Sequence, residues 1–115
     1  MKVSKREQKK IILKHLEIIA ENIAIRFNCP LYLVGSFISI GIDAMDIDII
    51  MPMSEDRMMR LFKSNVFNDR WFKFILKQKE YMEEHLRDWD IDFKVQSKQK
   101  FDKIKEQRIK LTKIV

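Results

Sequence analysis

Cysteine, glycine and proline are scarce in this chain, at one, two and two among 115 residues. The single Cys29 has no partner for an internal disulfide, which excludes a disulfide-stapled scaffold and points to a reducing cytoplasm. So little glycine and proline leaves few irregular stretches, and most residues are expected in regular elements with short connections. No apolar run approaches the roughly 20 residues of a membrane span, so no membrane partner is expected. The N-terminal MKVSKREQKK is basic, but the IILKHLEIIAENIAIRF after it is amphipathic, without the uninterrupted apolar core of a signal peptide. Histidine is scarce too: His15 and His85 have no second His or Cys at ligand spacing, which argues against a His/Cys metal site.

What is present describes a folded, highly charged globule. Hydrophobic residues make up 46% and charged residues 35%, a balance that excludes a disordered chain. The length suits one domain, residues 1–115, with one modest core. Lys and Arg number 23 against 17 Asp and Glu, a net charge of +6. That excess suits a polyanion, a nucleoside triphosphate or an acidic protein face, although solvated lysine-rich helices give the same sum.

Periodicity orders the elements. Ile12, Leu16, Ile19, Ile23 and Phe27 recur at three- and four-residue steps, which predicts a helix over 4–27 that Asn28-Cys29-Pro30 stops. Residues 31–34 read as a short buried strand, 37–42 as a helical turn, and 45–51 as a second strand closed by Pro52. Ser54 is a good N-cap, with Glu55 and Asp56 in the first turn of a helix ending near Ser64-Asn65. A longer helix is predicted over 69–86, with Trp71, Phe74, Ile75 and Met82 as its apolar stripe. Residues 90–96 alternate as a half-buried strand. Ser97 is expected to cap a last basic helix carrying Phe101, Ile104, Ile109 or Arg108, and Leu111 at helical spacing. Its Lys98, Lys100, Lys103, Lys105, Arg108, Lys110 and Lys113 form a solvated face or a track for a nucleic-acid backbone. Met45, Met51, Met53, Met58 and Met59 are expected to fill core space, and Cys29 to be a buried structural thiol. The fold class is α+β with an α/β-like layer: a three-stranded or slightly larger mixed sheet flanked by helices.

The stretch LYLVGSFISIGIDAMDIDIIM, residues 31–51, carries the chemistry. Alternate residues of a strand share a face, so Asp46 and Asp48 project together with Cα atoms roughly 6 to 7 Å apart. Two carboxylates that close stay ionised together around a divalent cation, and an all-oxygen donor set suits Mg²⁺ or Mn²⁺ with substrate phosphates. Gly35 and Ser36 supply a turn where backbone N–H groups can meet phosphate. The acidic strand Asp90-Ile91-Asp92-Phe93 offers a third carboxylate, as a further metal ligand or as a base for an incoming hydroxyl.

Gly-Ser, a loop of about ten residues, D-x-D on the next strand and a later acidic strand together resemble the nucleotidyltransferase superfamily typified by DNA polymerase β. The short chain is similar to the minimal nucleotidyltransferases found as antitoxins beside HEPN-domain toxins. The resemblance rests on residues 31–51 and 90–96. It implies a small nucleotidyltransferase fold and transfer of a nucleoside monophosphate from an NTP, with ATP expected, to a hydroxyl on a protein or nucleic acid, with pyrophosphate released. It assigns triphosphate contact to Gly35 and Ser36 and metal binding and catalysis to Asp46, Asp48 and Asp92, with Asp90 the alternative third carboxylate. An inactive module of the same fold, binding nucleotide, nucleic acid or a partner protein, is the other reading. The chain departs from the pattern after Gly-Ser, where FISIGI is apolar and an Arg or other polar residue is usual. Asp43 is an additional acid near the site with no assigned role.

Overall fold

The first helix forms where the apolar periodicity puts it. In the computed structural model, which describes residues 4–44, 46–63, 77, 80, 90–104 and 107–113, helix α1 spans Lys5–Phe27. The Ser4 hydroxyl caps its start by accepting the Glu7 N–H at 3.2 Å. Asn28, left-handed at φ 51°, ends it two residues before Pro30. Ile12, Leu16, Ile19, Ile23 and Phe27 are all buried, as their spacing requires.

The chain continues through β1 (Tyr32–Val34), α2 (Ser36–Ile40), a 3₁₀ turn (Gly41–Asp43), β2 (Asp46–Met53) and α3 (Glu55–Lys63). It then resumes with β3 (Asp90–Ser97), α4 (Lys98–Asp102) and β4 (Arg108–Lys110). The strands form one mixed sheet in the order β3-β2-β1-β4. β2 runs parallel to β3, while β1 is antiparallel to both β2 and β4. The result is an α+β architecture, a four-stranded mixed sheet flanked by helices.

The two faces of the sheet differ sharply. Leu33, Ile47, Ile49, Met51 and Ile91 point to one side and join the buried stripe of α1 in the main core. On the other side Val34 and Ile50 pack with Phe101 of α4, with Tyr32 and Ile104 at the margin. The acidic residues 46, 48 and 92 share this second face, beyond the small cluster.

Three expectations need correction. β2 does not close at Pro52 but runs to Met53, still in register with β3. Pairing with β1 ends at Tyr32↔Ile50, so Pro52 lies where one side of β2 has no ladder to supply. The last basic helix does not form as one element. Ser97 does cap a helix, accepting the Lys100 N–H at 3.3 Å, but that helix ends at Asp102 and the chain returns as β4. The exposed edge of β1 decides this, because an edge strand gains a full set of backbone bonds from a neighbour. Met59 is 53% exposed rather than core, whereas Met51 and Met53 are buried and Met58 packs at the core margin. The helix predicted over 69–86 lies outside the described residues, except that Lys77 and Glu80 are helical. Trp71, Phe72, Phe74, His85, Met45 and Lys105 also lie outside them.

Candidate active site

The register of β1 on β2 builds the first half of the site. Val34 pairs with Asp48, so the chain leaves β1 at the level of that carboxylate. The next residue is Gly35, at φ +86°, a conformation that side chains rarely adopt. A Cβ there would stand 2.6 Å from Asp48 Oδ2. Both the backbone angle and the close approach therefore require glycine, and they place the Gly-Ser turn directly against the D-x-D strand. Ser36 opens α2 and is exposed.

The parallel pairing of β2 with β3 builds the second half. Asp48 is level with Asp92, and Asp46 with Asp90. Neighbouring strands lie about 4.8 Å apart and residues in register share a face. Asp46 and Asp48 are half-buried, while Asp92 is exposed and paired with Lys94, Nζ to Oδ2 3.4 Å. So Asp46, Asp48 and Asp92 share one patch of one sheet face, and Asp90 holds the fourth register position. Among the described residues no three His, Cys, Asp or Glu side chains converge closely enough to hold a metal ion as they stand.

The loop between Gly35 and β2 is clamped from α1. Lys9 Nζ donates to Ile38 O at 2.7 Å, and its stem lies under Gly41, where a Cβ would meet Lys9 Cδ at 3.2 Å. Lys5 holds Asp43 at 3.0 Å, which gives that acid a structural partner outside the site. The apolar FISIGI also finds its reason: Phe37 and Ile38 are buried in the main core. An arginine at position 37 would have to enter that core.

A cleft of about 360 Å³ opens beside the turn, lined by Gly35, Ser36, Ile38, Ser39 and Gln107. Gln107 and Ser39 were not legible as site residues, since Gln107 reaches the cleft only because the chain comes back as β4. Arg108 is the other residue that the strand brings in. It pairs with Val34, in the cross-sheet row Asp92–Asp48–Val34–Arg108. Its guanidinium lies over the Phe101 ring, 4.3 Å from the centroid, and donates to Phe101 O at 3.3 Å. A larger groove of about 470 Å³ lies at the other end of β3, lined by Met58, Met59, Val95 and Lys100. None of Asp46, Asp48 and Asp92 lines it, whereas the smaller cleft includes Gly35, which lies against Asp48.

No protein-family model matches this sequence. No curated protein matches it either. Among solved structures, one from Sulfolobus solfataricus described as a "putative nucleotidyltransferase" has the same fold, with a TM-score of 0.55. The likeness covers 96% of this chain and 87% of that one at 21% identity. The chain therefore has a nucleotidyltransferase-like fold, in agreement with the Gly-Ser and D-x-D pattern.

Proposed function

We propose that this chain is a minimal metal-dependent nucleotidyltransferase that moves a nucleoside monophosphate from an NTP, ATP for preference, to a hydroxyl of a protein or nucleic acid. One observation carries the reading: Gly35 sits in contact range of Asp48, and Asp48 is in register with Asp92, on one face of a sheet with this fold. In the reaction the acceptor oxygen bonds to the α-phosphorus, the bond from that phosphorus to the bridging oxygen breaks, and pyrophosphate leaves with its electrons.

The donors suit a hard divalent cation. Asp46, Asp48 and Asp92 offer only oxygen, and the missing Cβ at Gly35 lets the Asp48 carboxylate lie directly against the Gly-Ser turn. These three residues would hold Mg²⁺ or Mn²⁺. When bound, such an ion neutralises phosphate charge and polarises the phosphoryl oxygens. Gly35 admits the triphosphate to the turn. The Ser36 and Ser39 hydroxyls and the Gln107 amide supply neutral donors along the cleft. The third carboxylate, Asp92 or Asp90, takes the proton of the attacking hydroxyl. The single buried thiol fits a reducing cytoplasm.

The test is release of pyrophosphate, or labelling of the chain or a partner, from α-labelled NTP with Mg²⁺. Asp48→Asn should abolish the signal, a loss of at least about a hundredfold for a ligand that acts on the transition state. A second reading, a nucleotide-binding module without turnover, is favoured by the absence of three converged acids among the described residues. Tight binding of NTP with Mg²⁺ and no transfer to any acceptor would select it.

A further inference from the structure

Helix α1 carries a second apolar line, on the side away from the core. Ile11, Ile18 and Ile25 are 50%, 60% and 68% exposed. Their spacing is seven residues, and a helix drifts only about 20° per heptad, so the three form one line roughly 21 Å long. One exposed isoleucine is ordinary, but three at heptad spacing make one continuous apolar line, which supplies one of the two positions of a coiled-coil repeat while the other is polar. Lys14 and Glu21 flank the line on the same side, roughly 40° and 60° from Ile18 around the axis. The Lys113 backbone N–H fixes the Glu21 carboxylate, donating to it at 3.0 Å.

We propose that this face binds the same face of a second copy, with the two α1 helices antiparallel about a twofold axis through Ile18. The line is self-complementary under that operation. Ile18 meets Ile18 of the second copy, and Ile11 and Ile25, equally far from the centre, meet each other. The charges agree. Lys14 lies four residues before the centre and Glu21 three after it, on the same side. Antiparallel pairing brings Lys14 of each copy within one residue, about 1.5 Å along the axis, of Glu21 on the other. Parallel pairing would set Lys14 level with Lys14 and Glu21 level with Glu21. The apolar strip is smaller than the roughly 800 Å² per partner of a standard interface, so the dimer is weak and follows concentration. Helix α1 packs on the sheet face opposite the carboxylates, so the pairing leaves the candidate active site open. The inference stands whether or not the chain transfers nucleotides.

Sedimentation equilibrium of the full chain over a wide concentration range tests it. The wild type should fit a monomer–dimer equilibrium. Ile18→Lys sets two cations across the axis and should raise the dissociation constant by more than about tenfold, with helical circular dichroism unchanged. Lys14→Glu should weaken the dimer and the exchange K14E/E21K should restore it, since that swap keeps opposite charges facing. A wild type that stays monomeric throughout overturns the proposal. So does a dimer indifferent to Ile18→Lys, or one that the charge exchange fails to restore relative to Lys14→Glu.

Discussion

At the scale of single residues, Gly35 is the most constrained position in the site. Its positive φ and the 2.6 Å approach to Asp48 Oδ2 act together. Gly35→Ala should cost about 1 to 3 kcal/mol, measured as a lowered urea midpoint at unchanged slope. It should also lower NTP affinity, because the displaced Asp48 no longer sits at the turn. Cys29 is constrained by burial, which pushes its thiol above the ordinary value of 9.0, with the Arg57 guanidinium offsetting part of the rise. A thiol raised on folding contributes stability that is fully present below the unfolded value and is lost as pH rises through the folded one. Stability should therefore fall on the alkaline side of about pH 9, and Cys29→Ala should flatten that limb of a urea-midpoint profile. Native Cys29 should also react with iodoacetamide at pH 8 far more slowly than in urea.

At the scale of elements, helix ends decide what the sequence left loose. Ser4, Ser54 and Ser97 each cap a helix by accepting an N–H three residues on, at 3.2, 3.2 and 3.3 Å. The other end of α1 is tied from α3: Arg57 donates to Phe27 O and Asn28 O and reaches Cys29 Sγ. One guanidinium thus satisfies carbonyls that a helix C-terminus leaves without partners. Arg57→Met keeps much of the stem but removes the donors, and should cost about 1 to 3 kcal/mol in chemical denaturation. The Ser54 and Ser97 caps were legible because serine before an acidic or amphipathic run has a local cause, whereas Ser4 was read only as the first residue of its helix. Arg57 was not, since nothing in the sequence around it points to residues 27–29.

At the scale of the whole molecule, β4 closes the fold. It covers the edge of β1, and past it Leu111 N donates to Leu31 O at 2.9 Å while the Thr112 hydroxyl accepts the Leu31 N–H at 3.3 Å. The same segment brings Gln107 to the cleft and Arg108 over Phe101 and Tyr32. A chain ended after residue 106 should therefore lose more than a tail. Its bare β1 edge and uncovered Leu31 should make it aggregate or melt well below the full chain, as light scattering during a thermal ramp would show.

The sequence by itself determined what local causes determine. Hydrophobic period placed α1, β2 and β3, serine capping placed α3 and the start of α4, and the alternation of Asp46-Ile47-Asp48 put both acids on one face. Tertiary structure decided the rest. Only the pairing register sets Asp48 beside Gly35 on one side and Asp92 on the other, because a slip of one residue would turn an entire strand over. Only the open edge of β1 turned a helix-spaced, lysine-rich tail into a strand, since backbone bonds to a neighbour outweigh a weak local preference. The motif was written in the chain, and its convergence on one sheet face was settled by which strands meet.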